Sequence, residues 1–360
     1  MTAYRYKRIA VKVGSNVITK QDGTLDIPRM SAIVKQISEL QKAGEEIILI
    51  SSGAVTSGRN EVKTSKKLDS VDQRQLYSAI GQVILINTYY NLFRQNELIC
   101  GQVLTTKESF NSRDHYLNQK NCMTVMLENG VIPIVNENDT ISVSELMFTD
   151  NDELSGLIAS MMNAEALFIL SNIDGIYNGN PSSSEAKVIR DILPGTDLKQ
   201  YISASKSTFG RGGMLTKSNI ARKVAEEGIF VYIANGKKEN ILLDLMDTTK
   251  DVICTKFIAD KNASAIKKWI AHSEGFAKGE IHINKGCVEA LNRDKASSLL
   301  PVGITRIEGD FQKGDIIRIF DQEGIQIGVG KAQYGSDSAR ALIGKKGEKP
   351  FVHYDYLYLD

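Results

Sequence analysis

Short apolar runs alternate with longer amphipathic stretches through the first 255 residues of this chain. The runs over residues 9–13, 46–50 and 131–135 are almost continuously apolar. A strand that is apolar on both of its faces has to be covered on both faces, as it is in a parallel sheet lying between helices. The pattern therefore predicts an α/β fold, a three-layer sandwich with a mainly parallel central sheet.

The stretches between these runs have helical spacing. The clearest example is residues 28–43, in which apolar side chains recur at three- and four-residue steps before Gly44 ends the pattern. Further helices are predicted over residues 76–95, 118–129, 152–162 and 218–227. Further strands are predicted over residues 99–104, 166–170 and 230–234.

The pattern changes near residue 255. From there on, short strand-like runs are separated by turn residues, which is typical of a small β-rich domain. Strands are predicted over residues 279–283, 298–301, 303–308, 314–320 and 326–332. We therefore predict an α/β domain over residues 1–255, a linker over 256–276 and a β-rich domain over 277–360.

The amino-acid composition argues against a protein that mainly binds nucleic acid or a membrane. The 360 residues are 42% hydrophobic and 24% charged, with a formal net charge of +1. This balance gives no electrostatic reason to expect a nucleic acid or an anionic membrane as the main partner. The four cysteines form no CxxC pair, the N-terminus lacks an apolar signal segment, and no apolar run approaches the ~18 residues that span a bilayer. A cytoplasmic enzyme without a membrane segment is expected.

Small polar or charged residues follow four of the predicted strands. They begin at Lys12, Ser51, Asn136 and Ser171, each directly at the end of its strand. In open α/β sheets, ligands bind beyond the carboxyl ends of the strands. We therefore expect these four segments to line one crevice.

Two lysines in this chain accompany glycines. Lys12 precedes Gly14, and Lys217 follows the glycine-rich segment 210–213. Taken alone, Lys12 would be read as a solvated lysine, and segment 210–217 is not a Walker A loop, in which lysine directly follows the last glycine. Glycine, however, lets a backbone N–H approach phosphate closely, and a nearby ammonium group binds phosphate oxygens. Together the two lysines predict a polyphosphate site.

Asparagine and aspartate are concentrated in two clusters, residues 136–139 and 150–152. Such residues often cap helices or form turns, and Asp152 could simply be an N-cap. The clusters also suit the α-amino and α-carboxylate groups of an amino acid, or Mg²⁺ held with substrate phosphates. On spacing alone, Asp150 and Asp152 are equally plausible as the carboxylate that orients the lysines or contacts a metal.

No histidine lies at these strand ends. A carboxylate substrate with a pKa of about 4.3 needs no general base, because it is already ionised at pH 7. Positioning and charge neutralisation are then the main tasks of the site. The residues indicate phosphoryl transfer to a small substrate.

At these positions the chain resembles the amino acid kinase family, and within it the branch that phosphorylates L-glutamate. Five segments carry the resemblance, in family order: residues 11–15, 51–55, 133–139, 150–155 and 212–217. The C-terminal part is similar to a PUA domain, most clearly over residues 297–304. Together the two resemblances cover nearly the whole chain.

The resemblance implies ATP-dependent phosphorylation of the γ-carboxylate of L-glutamate with Mg²⁺, giving L-glutamyl 5-phosphate as the first step of proline biosynthesis. It also implies a homo-oligomer, a dimer or a tetramer, that proline inhibits. The part of the α/β domain before residue 165 would bind glutamate, and residues 165–255 would bind the nucleotide.

The same resemblance implies roles for individual residues. Lys12 and Lys217 would hold the transferring phosphoryl group, and Asp152 would orient them. The residues implied to bind glutamate are Ser52, Asn136, Asp139, Asp150 and Asn151. Those implied to bind ATP are Lys12, Gly14, Ser171, Asn172, Arg211, Gly212, Gly213, Met214, Leu215, Thr216 and Lys217. Asn172 and Arg211 stand where many members have Asp and Thr.

Three other functions account for parts of the pattern. One is a kinase of the same fold acting on aspartate, N-acetylglutamate or carbamate, against which the two Asn/Asp clusters and the C-terminal domain both argue. Another is RNA binding through the PUA domain, which we favour less because residues 279–360 mix acidic and basic residues without a basic stripe. The third is an inactive nucleotide sensor, which the joint presence of Lys12, Asp152 and Lys217 disfavours.

Overall fold

The computed structural model describes residues 4–65, 67–111, 113–142, 148, 151–180, 183, 185–196, 214–260, 277–291 and 297–359. The chain forms two compact units, Met1–Asn262 and Ala263–Asp360. Residues 261–276 of the predicted linker lie outside the described residues.

An eight-stranded sheet forms the centre of the first unit. Its strands are β1 Arg8–Val13, β2 Glu46–Ser51, β3 Ile99–Thr105, β4 Val131–Glu137, β5 Ala166–Ser171, β6 Asp191–Ile192, β7 Phe230–Asn235 and β8 Thr255–Phe257. Their order is β3-β4-β2-β1-β5-β7-β8-β6, and the only antiparallel pair among these strands is β7 with β8. The predicted α/β class with a mainly parallel sheet is confirmed, and the sheet continues two residues beyond the predicted domain end at 255.

Nine helices lie in the described part of this unit. They are α1 Ser15–Ile18, α2 Ile27–Lys42, α3 Ala54–Glu61, α4 Ser70–Gln95, α5 Glu108–Asn111, α6 Arg113–Glu128, α7 Asn151–Met161, α8 Met214–Glu226 and α9 Ile241–Met246. Helices α2 and α4 bury their apolar side chains against one face of the sheet. Helices α7 and α8 contact strands β1, β5 and β7 and form the third layer.

Alternation along β1 places Lys12 on the α7 side of the sheet. Ile9, Val11 and Val13 point into the core shared with α2 and α4. Because successive side chains of a strand point to opposite faces, Lys12 lies on the other face. Strand β1, which is otherwise apolar, thus carries one charged side chain on the face of the sheet that α7 covers.

Helix α4 begins six residues before its predicted start at residue 76. The Asp69 side chain caps it by accepting hydrogen bonds from the backbone N–H groups of Val71 and Asp72, both at 2.8 Å. Apolar periodicity is weak in this first part, so the cap rather than the pattern defines the start. The added turns carry Arg74, whose role is described below.

Helices α3 and α4 cross at two glycines. A Cβ atom added to Gly58 would collide with the Tyr77 carbonyl oxygen, and one added to Gly81 would collide with the Ala54 carbonyl oxygen. Only glycine permits this backbone contact. The contact fixes the start of α3, which follows the polar end of β2.

The second unit is built on a five-stranded sheet with the order β10-β9-β11-β12-β13. Its strands are β9 Gly279–Ile283, β10 Ile304–Gly309, β11 Ile316–Phe320, β12 Gln326–Lys331 and β13 Leu357–Leu359, and the α-helices in its described part are α10 Lys285–Leu291 and α11 Ser336–Leu342. The strand predicted over 298–301 is wrong. Leu299 makes only an isolated bridge to Val352, and Pro301, which has no N–H to donate to a ladder, begins a 3-10 helix instead.

Candidate active site

The four polar strand ends predicted from the sequence meet at one edge of the sheet. Strands β4, β2, β1 and β5 are consecutive neighbours and are all parallel. Their carboxyl ends therefore lie side by side, and the segments that follow them line one crevice. This expectation is confirmed.

Asp152 lies between the two predicted phosphate-binding lysines. It belongs to the first turn of α7 and is 0% exposed. Its Oδ1 lies 2.6 Å from Lys12 Nζ, and its Oδ2 accepts a hydrogen bond from Lys217 Nζ. One carboxylate thus joins the end of β1 to the start of α8, although the three residues are far apart in the sequence.

The two lysines also determine the charge state of Asp152. Burial alone would raise the pKa of this carboxyl, but the charges and hydrogen bonds of Lys12 and Lys217 outweigh burial and lower the pKa below its ordinary value. Asp152 is therefore a carboxylate at pH 7. Its negative charge offsets the cost of holding an ammonium group in the protein interior.

Two glycines keep the crevice open beside these charges. Gly14 donates its N–H to the Leu170 carbonyl at 3.1 Å, and a Cβ atom there would lie 3.8 Å from Lys12 Nζ. Gly53, the N-cap of α3, has a φ of +104°, which favours glycine. Neither residue carries a side chain into the space beside the two lysines, and phosphate binding there stays a prediction.

Asn151 connects three of the strand-end segments. Its side-chain N–H group donates to Ser52 Oγ at 2.9 Å, to Asn136 Oδ1 at 3.0 Å and to the Ser51 carbonyl oxygen at 3.1 Å. Asn136 in turn donates to Gln82 Oε1 at 2.8 Å. The predicted glutamate-binding residues Ser52, Asn136 and Asn151 therefore form one network.

These residues line a pocket of about 230 Å³ at the end of the sheet. Asp139 also lines the pocket. The guanidinium group of Arg74 contacts both Asp139 and Glu137. Burial raises the pKa values of Glu137 and Asp139, and Arg74 counteracts that rise. The pocket wall therefore combines amide, hydroxyl, carboxylate and guanidinium groups.

Apart from Lys12 and Gly14, the predicted nucleotide-binding residues that the structure describes lie at the end of β5 and the start of α8. Ser171 ends β5 and donates weakly to the exposed Asn172 at 3.4 Å. Met214, Leu215, Thr216 and Lys217 form the first turn of α8. Asp150, Arg211, Gly212 and Gly213 lie outside the described residues, so their predicted roles remain predictions.

Sequence reasoning missed several residues of the site. Arg74 and Gln82 lie on α4, and nothing in the local sequence connects them to a strand end some 60 residues later. Asp174 lies in the polar segment that begins at Ser171, but no individual role was predicted for it. It forms an ion pair with Lys238 at 2.9 Å and accepts a hydrogen bond from Asn235 at 3.1 Å, next to the end of β5. A search for charges that follow β5 and β7 could have found this pair.

The described residues contain no group of three or more His, Cys, Asp or Glu side chains arranged to hold a metal ion. Among the helices that the structure describes, none has the length and apolar character needed to cross a membrane.

Comparison with known proteins gives consistent matches over both units. Residues 7–235 match the model of the amino acid kinase family, and residues 279–352 match that of the PUA domain. The chain is 69% identical to a glutamate 5-kinase of Bacteroides thetaiotaomicron, with 99% of each chain covered. It is 49% identical to a glutamate 5-kinase of Chlorobaculum tepidum, with 98% of each covered.

A solved structure shares the fold of the first unit. The UMP kinase from Ureaplasma parvum superposes with a TM-score of 0.50 at 15% sequence identity, covering 71% of this chain and 99% of that one. This likeness concerns the fold alone.

Proposed function

Because the chain belongs to the amino acid kinase family, in its glutamate 5-kinase branch, we propose that it phosphorylates the γ-carboxylate of L-glutamate with ATP. The observation that carries the proposal is the buried Asp152 held between Lys12 and Lys217, next to a pocket lined with amino-acid-binding groups. The product is L-glutamyl 5-phosphate.

The chemical step is a direct displacement. An oxygen of the γ-carboxylate attacks the γ-phosphorus of ATP, the bond from that phosphorus to the β–γ bridging oxygen breaks, and ADP leaves with the electron pair. The attacking group is already ionised at neutral pH, so no proton has to be removed. Catalysis then consists of alignment and stabilisation of the charge on the transferring group.

Lys12 and Lys217 provide this stabilisation. Their ammonium groups contact different oxygens of one buried carboxylate, so Asp152 fixes their separation before substrate arrives. Such preorganised charges cost no reorganisation during the reaction. Gly14, beside Lys12, leaves the phosphoryl group access to this pair of charges.

Glutamate is proposed to occupy the pocket at the ends of β2 and β4. Ser52, Asn136, Asp139 and Asn151 all line it, and Asn151 sits next to Asp152 in α7. A substrate bound there would therefore reach the two lysines. Asp150 is proposed to belong to the same site.

ATP is proposed to bind along the ends of β5 and α8, with Ser171, Asn172 and residues 211–217 as its contacts. Both oxygens of Asp152 already contact lysine ammonium groups, so this carboxylate is not proposed as the metal ligand. Mg²⁺ would instead bind together with the ATP phosphates. Mg²⁺ is commonly bound through one or two carboxylates together with substrate phosphates. When bound, it neutralises part of the phosphate charge.

We further propose that this reaction opens proline biosynthesis and that proline inhibits it. Proline shares an α-carboxylate and a charged α-nitrogen with L-glutamate, so it could compete for the groups near Asp139 and Asn151. Inhibition that is relieved by raising L-glutamate would support competition. Inhibition unaffected by L-glutamate would place proline elsewhere.

From the family resemblance, we propose that the protein is cytoplasmic and forms a homo-oligomer, either a dimer or a tetramer. RNA binding by the second unit remains the less favoured alternative. Its strands pair basic with acidic side chains, as in Arg306 with Glu308 and Arg318 with Glu280. Such pairing leaves less positive charge on this sheet for a phosphate backbone.

The test is ATP turnover with Mg²⁺ on L-glutamate, L-aspartate, N-acetyl-L-glutamate and carbamate, with hydroxylamine present to trap acyl phosphates. Hydroxamate from L-glutamate alone is expected. Hydroxamate from another acid would replace the substrate but keep the mechanism. No hydroxamate from any acid would contradict the proposed function.

A further inference from the structure

Arg74 connects the start of α4 to two carboxylates at the end of β4. Its Nε donates to Asp139 Oδ1 at 2.6 Å, and its Nη2 donates to Glu137 Oε2 at 2.7 Å. The Arg74 side chain is 23% exposed, compared with 4% for Glu137 and 10% for Asp139. A single guanidinium group thus holds two nearly buried acids in the pocket wall.

The two acids are not equivalent. The second oxygen of Glu137 accepts hydrogen bonds from Ser142 Oγ at 2.7 Å and from the Phe148 N–H at 2.9 Å, so both of its oxygens are engaged. The second oxygen of Asp139, Oδ2, has no hydrogen-bond donor among the described residues. Asp139 therefore has an oxygen left for a ligand, and Glu137 does not.

Charge in the pocket indicates which ligand group that oxygen accepts. Among the described lining residues, only Arg74, Glu137 and Asp139 are charged, and together they carry one net negative charge. A negative wall favours a cationic group and disfavours a second carboxylate at that point. An ammonium group, with three N–H donors and one positive charge, matches Asp139 Oδ2.

We propose that Arg74 is a positioning residue that fixes Asp139 so that Oδ2 accepts the α-ammonium group of the amino acid substrate. This inference rests on the proposed function, since it assigns one subsite of the same pocket. It makes Arg74 a determinant of specificity for amino acids over simple dicarboxylic acids.

The physical basis is preorganisation. An aspartate side chain at the end of a strand can rotate, and fixing it only when substrate binds would reduce affinity. The planar guanidinium fork fixes both acids at once, and a lysine at the same position would act as a point charge without that geometry. Arg74→Lys should therefore restore only part of the effect.

The test compares two ligands that differ at the α-nitrogen. Glutarate has both carboxylates of L-glutamate and lacks the amino group. KM and kcat for L-glutamate are measured by hydroxamate formation, and the inhibition constant of glutarate is measured against L-glutamate. The proteins are wild type, Arg74→Ala, Arg74→Lys and the control Arg94→Ala, which removes an exposed arginine from the other end of α4.

In Arg74→Ala we expect KM for L-glutamate to rise about 10- to 100-fold. This is the change in affinity that corresponds to the loss of one hydrogen bond to a charged group. The inhibition constant of glutarate should change less than about threefold, on the same scale. We expect kcat to fall less than KM rises, Arg74→Lys to be intermediate, and Arg94→Ala to match wild type.

Equal weakening of both ligands would overturn the proposal, because Arg74 would then bind a carboxylate common to both or simply maintain the pocket. An unchanged KM for L-glutamate would overturn it as well.

If Arg74→Ala does not fold, Asp139→Asn is used as the test variant instead. We expect Asp139→Asn to weaken binding of L-glutamate but not of glutarate, and adding Arg74→Lys to that variant should have no further effect. A wild-type protein that forms no hydroxamate from L-glutamate would instead contradict the proposed function, a separate result.

Discussion

Asp152→Asn is the substitution that tests the centre of the site most directly. It keeps the shape of the side chain and removes its charge. Among the described residues, Asp152 is the only ion-pair partner of Lys12 and of Lys217. Two ammonium groups would then face each other across a neutral amide, one of them almost fully buried.

The expected magnitude follows from that burial. Breaking a buried ion pair by removing one partner costs about 3–5 kcal/mol in the free energy of unfolding. This is a large part of the ~5–15 kcal/mol that stabilises a typical domain. Misplacing the two lysines should lower kcat about 10²- to 10³-fold, the usual effect of losing one preorganised charge-stabilising group.

The assays are hydroxamate formation at saturating ATP and L-glutamate, and urea unfolding with and without ATP. The loss of stability should shrink when ATP is present, because phosphate charge then faces the lysines. Asp72→Asn is the matched control, since it removes the same charge from an exposed position in α4 and should change stability by less than about 0.5 kcal/mol. Wild-type kcat and stability in Asp152→Asn would refute the assigned role of Asp152.

The pH dependence of stability checks the same reasoning. The pKa of Asp152 is lowered in the folded protein from its ordinary value of 3.8. Its stabilising contribution is therefore complete above that ordinary value and is lost as the pH falls through the lower folded pKa. The difference in unfolding free energy between wild type and Asp152→Asn should be constant near neutrality and shrink below about pH 4. A difference that grows toward acid would contradict the ion-pair explanation.

Further predictions concern other parts of the first unit. Lys217→Ala should lower kcat at least about 10²-fold while circular dichroism shows that the fold is retained; normal turnover would remove Lys217 from the site. Asp139→Ala should mainly raise KM for L-glutamate, and an unchanged KM would remove Asp139. Gly81→Ala should destabilise the protein by about 1–3 kcal/mol or more, because its Cβ collides with the Ala54 carbonyl, whereas Ala79→Gly in the same helix should cost about 1 kcal/mol in urea unfolding. A chain ending at residue 262 should fold and retain hydroxamate formation, because the first unit is compact by itself; an insoluble product would contradict that.

Some residues of the candidate site could be predicted from the sequence, and others could not. Lys12 could be found because it interrupts an apolar strand next to a glycine, which is a local signal. Asp150 and Asp152 could not be separated by spacing, whereas the structure starts α7 at Asn151 and brings Asp152 to both lysines. Arg74 carries no local signal at all, because its partners lie 63 and 65 residues later in the chain.

The parallel sheet, the edge at which ligands are proposed to bind and most of the groups that line this edge could be predicted from the sequence alone. These depend on periodicity and on residues adjacent to strand ends, and both can be read locally. Which polar groups meet depends on the tertiary structure: Asp152 contacts two lysines, Arg74 contacts Glu137 and Asp139, and Asn151 contacts the ends of β2 and β4. Electrostatic interactions depend on distance and burial, which arise only when segments far apart in the chain pack together.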